Sequence, residues 1–237
     1  MARKFLSYFK YFFYLGWNWN FRLASAILYY EIKGEKKYRI STIGTYDLNT
    51  SVSEKDRKHA SIYQPVNYYI GEWLFKQLED QDIRSKSFLD AGCGKGRAMV
   101  MAAHFGFKEV SGFDISPKMC NEAITNINKV QCQFPGTKFE VVCSDARTAI
   151  ISDNIGVIFL FNPFAKIIMK VFITRVMDSL KKNPRNLMVL YANPECRDLW
   201  EAAGFEPINQ IEKLYWLQGL VLFYQPPLEK GTKKPGC

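Results

Sequence analysis

Glycines at alternate positions close an apolar run in Phe88-Leu89-Asp90-Ala91-Gly92-Cys93-Gly94-Lys95-Gly96-Arg97. Such a loop lets the backbone approach a ligand closely, because only a residue without Cβ permits it. The spacing G-x-G-x-G is one residue short of the dinucleotide fingerprint G-x-G-x-x-G, which rests a pyrophosphate on a helix N-terminus. Asp90, at the end of the apolar run, opposes a phosphate. It favours a ligand with an ammonium or sulfonium group, since opposite unit charges about 4 Å apart gain roughly 1–4 kcal/mol at effective dielectrics of 80 to 20. Further clusters end later apolar runs: Gly112-Phe113-Asp114, Cys143-Ser144-Asp145-Ala146 and Phe161-Asn162-Pro163-Phe164. Asp114 or Asp145 alone reads as a turn or helix-cap aspartate. Ligand-like groups at successive run ends point instead to one site.

The elements that must position them follow from the pattern. Apolar runs at 87–91, 109–113, 139–143, 157–161, 187–191, 208–213 and 219–224 are interleaved with helical spacing at 96–105, 117–129, 166–181 and 195–203. This alternation predicts a mostly parallel sheet covered on both faces. The last two runs lie too close for a crossover helix, so a hairpin joins them and the final strand runs antiparallel, at or near an edge. The expected fold is α/β, a doubly wound, mostly parallel seven-stranded sheet with an antiparallel last strand. Its ligand lies beyond the carboxyl ends of the strands, where strand order reverses. Upstream, 66–78 has apolar residues at helical spacing after Pro65. Residues 31–58, with Lys33-Gly34 and Ile43-Gly44 as hinges, read as a charged connector.

Residues 1–30 hold 12 of the 36 aromatics and four basic residues (Arg3, Lys4, Lys10, Arg22), and no acid. Lys10, Asn18, Asn20 and Arg22 interrupt the apolar run, so it is too broken to span a bilayer, which takes roughly 20 apolar residues. The Trp17-Asn18-Trp19-Asn20 stretch stands where a signal peptide would turn small and cleavable. One or two aromatic, basic helices remain, expected to pack on the main domain as a cap, with a membrane surface as the alternative. The chain thus divides into a helical extension and connector at 1–60, a ligand-binding domain at 61–225 and a frayed tail at 226–237.

A net charge of +9 suits an anionic partner or membrane surface and equally a basic protein without one. Six cysteines with no C-x-x-C pair and no histidine at ligand spacing argue against structural zinc and a disulfide framework. Reduced thiols in a cytoplasm fit that pattern, and no metal is expected.

Over about 62–225 the chain resembles the class I S-adenosylmethionine-dependent methyltransferases, on D-x-G-x-G-x-G after a strand and the acids at the next two strand ends. The resemblance implies a Rossmann-like fold and S-adenosylmethionine, which carries both cations and no phosphate. It implies cofactor contacts at Asp90, Gly92, Cys93, Gly94 and Gly96. Asp114, with Ile115 beside it, matches the acid that holds the ribose hydroxyls, and Asp145, with Ala146, the residue that meets the adenine amine. Asn162 falls between cofactor and acceptor. Asn162-Pro163-Phe164 is similar to the Asn/Asp-Pro-Pro-aromatic motif of enzymes that methylate planar amines, without the second proline. It is similar also to the Asn-Asn-Phe motif of non-SET nucleosomal lysine methyltransferases. Tyr63-Gln64-Pro65 matches the Tyr-x-Pro loop of small mitochondrial and bacterial lysine methyltransferases, and the overall layout looks like bacterial methyltransferases with no assigned substrate. Asn162, Pro163, Phe164 and Tyr63 are the implied catalytic residues, with Phe161 and Tyr191 as further aromatic lining. His59 is a weaker candidate base, and His104 reads as packing. The implied reaction is N-methylation of an amine such as a protein lysine. A nucleic-acid base stands second, and small-molecule and glycan acceptors stay open. The expected location is cytoplasmic, with the membrane periphery as the alternative.

Overall fold

The computed structural model describes residues 2–43, 64–78 and 85–227, with side chains from Tyr8 onward. Tyr63, His59, Gly44 and the end of the tail lie outside the described residues. Among the described residues three helices precede the sheet: α1 (Ala2–Asn18), α2 (Phe21–Tyr38) and α3 (Tyr68–Lys76). Asn20 starts α2 by accepting the Leu23 N–H at 2.7 Å, and Asn67 starts α3 by accepting the Tyr69 N–H at 2.9 Å. Then come β1 (Ser87–Ala91), α4 (Arg97–His104), β2 (Glu109–Asp114), α5 (Pro117–Val130) and β3 (Lys138–Cys143). The chain continues with β4 (Ile155–Phe161), α6 (Lys166–Lys182), β5 (Leu187–Ala192), α7 (Arg197–Ala202), β6 (Glu206–Lys213) and β7 (Leu217–Tyr224).

The seven strands form one sheet in the order β3-β2-β1-β4-β5-β7-β6. β3, β2, β1, β4 and β5 are parallel, and β7 runs antiparallel to both β5 and β6. The last strand is therefore antiparallel as expected and lies one place in from the edge. β6 takes the edge itself, where Pro207 costs no ladder hydrogen bond that the sheet needs. β1 and β5 are buried along their whole length, which is why neither alternates polar and apolar residues strictly and β5 reads as an unbroken apolar run. One core lies between the sheet and α3, α4 and α5 around Phe75, Phe88, Met99 and Phe159. The other lies under α6 and α7 around Ile158, Phe172 and Trp200. Strand order reverses between β1 and β4, and the site opens beyond their carboxyl ends.

The reading of 31–58 as a connector needs correction over 31–38; residues 44–58 lie outside the described residues. Helix α2 continues through Glu31 to Tyr38 and ends at Arg39 in the left-handed conformation, φ 57°. Gly34 is no hinge. A Cβ there would lie 2.2 Å from the Tyr68 ring, so glycine is what lets α2 press on α3. Four residues on, Tyr38 stacks on the same ring at 5.4 Å. Leu15, Leu23, Ala24 and Ile27 join the core of the main domain, so the inner faces of α1 and α2 are packed on it. His104 meets the edges of Tyr38 and Phe134 at 4.7 and 4.8 Å, a packing position.

Candidate active site

The glycine loop is fastened to the end of β2. The N–H groups of Gly92 and Cys93 both donate to the Phe113 carbonyl, at 2.9 and 2.8 Å, and Gly94 N–H donates to Asp114 Oδ2 at 3.0 Å. Gly92, Gly94 and Gly96 have φ of 81°, 50° and 78°, values that disfavour any residue with a Cβ. Gly92 also meets a steric limit: a Cβ there would lie 2.3 Å from the Cβ of Pro163. The loops after β1 and β4 thus touch because position 92 is glycine.

Two carboxylates flank this loop. Asp90 is 4% exposed, and burial pushes its carboxyl up to about 8, with the nearby Asp114 adding to the rise. Asp114 is also raised by burial, though the N–H groups of Ser116 and Gly94 act against the rise. Two buried acids side by side, each raised by burial, would be relieved by a positively charged ligand.

Opposite the loop, β4 ends in Asn162 at φ 39°. Asparagine tolerates this left-handed region better than most residues. Its Oδ1 is buried and accepts no hydrogen bond, an unsatisfied acceptor lining the cleft. The cleft, about 80 Å³, is bounded by Asp90, Gly92, Asp114, Asn162, Pro163 and the segment 64–66. That segment and Phe161 also bound a larger chamber of about 420 Å³ beneath α1 and α2. Its walls include Tyr11, Leu15, Trp19 and Trp216, with Asn193, Glu195 and Gln218 as polar groups.

Arg97 joins the cleft to the N-terminal helices. Its guanidinium pairs with Glu31 of α2 in a two-pronged contact, one prong at 2.9 Å, and donates to Thr42 Oγ1 and the Val66 carbonyl, both at 2.6 Å. It also lies 3.9 Å from the centre of the Tyr68 ring. Both charges are buried, and burial raises the Glu31 carboxyl while Arg97 holds it down.

Of the residues singled out in the sequence, Asp90, Gly92, Cys93, Gly94, Asp114, Asn162 and Pro163 share the cleft. Gly96 stands at the start of α4, its place in the loop set by the Gly96 N–H bond to the Cys93 carbonyl at 2.8 Å. Ile115, Asp145 and Ala146 follow the adjoining ends of β2 and β3, which Ser144 N–H ties together through the Asp114 carbonyl at 3.0 Å. The Asp145 carboxylate is engaged by Arg147, whose Nε lies 2.9 Å from Oδ2. Phe164 is not brought to the cleft: it stacks on Phe113 at 6.1 Å and meets Phe172 edge-on at 5.6 Å, so it packs under α6. Tyr191 is fully buried, its hydroxyl accepting from the Cys196 N–H at 3.3 Å, and lines neither space. Among the described residues no group of His, Cys, Asp and Glu is placed to hold a metal ion. Sequence reasoning gave no role to Arg97 and did not single out Asn193. Yet Asn193-Pro194, with φ 49° at Asn193, repeats Asn162-Pro163 at the end of the neighbouring strand. That repeated dipeptide is the signal that would have found it.

A sheet in this order, with D-x-G-x-G-x-G at its point of reversal, is the architecture of class I S-adenosylmethionine-dependent methyltransferases. Residues 88–183 match the family described as a methyltransferase domain, and the methyl donor is S-adenosylmethionine. No curated protein matches the chain in sequence. Solved structures with the same fold include a candidate RNA methyltransferase from Pyrococcus horikoshii, 17% identical over 73% of this chain and 88% of that one, TM-score 0.53. A candidate methyltransferase from Escherichia coli, yhhF, is 14% identical over 67% and 88%, TM-score 0.51. Identities this low speak to the fold alone. The donor set fits the cofactor on independent grounds: two buried acids suit its cationic amino-acid end and ribose, and the glycine at 92 keeps the cleft's wall free of a side chain.

Proposed function

We propose that the chain methylates an alkyl amine, a protein lysine, held at Asn162, next to Phe161, which lines both the cleft and the chamber. The unsatisfied, buried Oδ1 of Asn162 carries this reading, because it needs an N–H donor and an incoming amine supplies one. When bound, S-adenosylmethionine supplies a methyl on a sulfonium whose leaving thioether requires no proton. Asp114 would hold the ribose hydroxyls and Asp90 the cationic end. Asn162 Oδ1 accepts one N–H of the amine and so aims its lone pair, an orienting effect within the range where effective molarities reach about 7–11 kcal/mol. The amine must be neutral to attack, and the apolar, aromatic walls of the chamber favour the neutral form by desolvation. Phe164 packs against Phe113 and Phe172 and does not line the cleft, which supports an alkyl amine over a nucleobase that would need a stacking ring there. Purified enzyme, labelled cofactor and a lysate from a deletion strain test this: label is expected in protein and recovered as N-methyl-lysine. Label confined to nucleic acid or to small molecules rejects it.

Asp90 gives a second expected result. In the free protein it titrates near about 8, so at neutral pH it holds a proton that a bound cation displaces. Calorimetry near pH 7 in buffers of differing ionisation enthalpy is expected to record proton release on cofactor binding, absent in Asp90→Asn. The stability linkage has the opposite sign from that of a paired acid. With the folded value raised above the ordinary carboxylate value of about 3.9, the contribution is full below about pH 4 and lost as pH rises through about 8. Asp90→Asn is therefore expected to melt higher than the wild type, with the gap widest above about pH 8. Equal melting temperatures from pH 6 to 9 would contradict this.

A further inference from the structure

Phe9, Phe13 and Trp17 recur every four residues and so share one face of α1. They are 53%, 48% and 89% exposed, and Phe21 and Tyr29 of α2 extend the same character at 52% and 60%. The rings of Phe9 and Phe13 meet at 4.6 Å, and Phe13 and Phe21 at 6.3 Å, so the patch crosses from one helix to the other. Its charges are segregated. Lys10, Arg22, Lys33 and Lys36 are exposed around it. Glu31 and Glu35, the acids of the hairpin, are both buried inward, Glu31 on Arg97 and Glu35 on the hydroxyls of Tyr8 and Ser41.

A second observation comes from the far end of the chain. The turn between β6 and β7 holds Leu214 and Tyr215 at φ 54° and 61°, a backbone that disfavours residues other than glycine and asparagine. The turn presents Tyr215 and Trp216 at 86% and 54% exposure, and Trp216 meets Trp19 edge-on at 6.3 Å. The tip thus stands beside the α1–α2 turn and adds two more aromatics to the same region.

We infer that this outer face of α1 and α2, with the β6–β7 tip, rests on an anionic lipid bilayer. Aromatic rings ringed by lysine and arginine, with every acid of the hairpin turned away, match the chemistry of the headgroup layer. The same charge makes a second copy of the face a poor occupant, since like charges would meet. The helices lie on the bilayer and do not cross it, because no helix among the described residues is long and apolar enough to do so. The docking stands apart from the methyl-transfer reading. If both hold, Trp19 and Trp216, which line the chamber, place its rim at the lipid surface.

Co-sedimentation of the full chain with vesicles tests this. The wild type is expected to pellet with phosphatidylcholine vesicles containing about 30% phosphatidylglycerol, more weakly without the anionic lipid, and less as salt shortens the reach of charge. Phe13→Ala/Trp17→Ala is expected to lower partitioning about tenfold or more, by removing buried apolar area at the interface. Lys10→Glu/Arg22→Glu, which leaves the rings intact, is expected to lower it by about fivefold or more per charge. Both variants keep the melting temperature, since the substituted side chains face outward. The inference fails if the wild type stays in the supernatant with anionic vesicles, or if all three proteins partition alike. It fails also if the wild type is a dimer in solution that Phe13→Ala/Trp17→Ala splits, which would assign the face to a second copy.

Discussion

Asn162→Ala is expected to cut turnover about 100-fold or more while leaving cofactor affinity within about 1 kcal/mol. The side-chain oxygen is buried without a partner in the free protein, so its only use in the proposed reaction is toward the amine. Removing it loses orientation in the transition state and little of the cofactor's hold, which rests on Asp90, Asp114 and the glycine loop. Alanine at φ 39° also strains the backbone by about 1 kcal/mol or more. Asn162→Gly separates the two effects, because glycine accepts that φ freely. It is expected to be as inactive as Asn162→Ala and closer to the wild type in stability. Turnover by Asn162→Gly near the wild-type rate would assign this position to backbone geometry alone.

The largest expected effect on stability belongs to Arg97. Arg97→Ala leaves Glu31 buried without its counter-charge and strips partners from Thr42 and the Val66 carbonyl. Breaking a buried ion pair on one side costs about 3–5 kcal/mol. In a chain of this size that lowers the melting temperature by on the order of 10 °C. Glu31→Ala strands the guanidinium and is expected to cost a similar amount. Replacing both with apolar residues, Glu31→Leu/Arg97→Met, is expected to recover most of the loss, since desolvation of the pair offsets much of its attraction. Thermal denaturation followed by circular dichroism measures all three. A loss below about 1 kcal/mol in Arg97→Ala would mean that the pair does not hold α2 against the domain.

How much of this could be read from the sequence depended on how local each cause was. The strands were legible because β1, β4 and β5 are buried on both faces and need no alternation. The glycine loop was legible because its chemistry lies within ten residues. Helix α2 beyond Glu31 was not: a mixed-charge stretch with a glycine looks like a solvated connector. What makes it a helix lies far along the chain, at Tyr68 for Gly34 and at Arg97 for Glu31. Phe164 shows the same limit in the site. An aromatic after Asn-Pro reads as a stacking platform, but Phe113 and Phe172, brought in by β2 and α6, draw it against the core and away from the cleft. Motif spacing identifies which residues reach a strand end, while neighbours from other elements decide which way each one turns.

The claim that Asn162 receives an ionisable alkyl amine is tested most directly by the pH–rate profile of Asn162→Asp, measured beside the wild type on the protein fraction that accepts label. A carboxylate next to a lysine raises the lysine's pKa above its ordinary value of about 10.4 and disfavours the neutral nucleophile. The account predicts a deficit that is largest below about pH 9 and partly recovers in alkali. A deficit independent of pH, or full activity throughout, would contradict it.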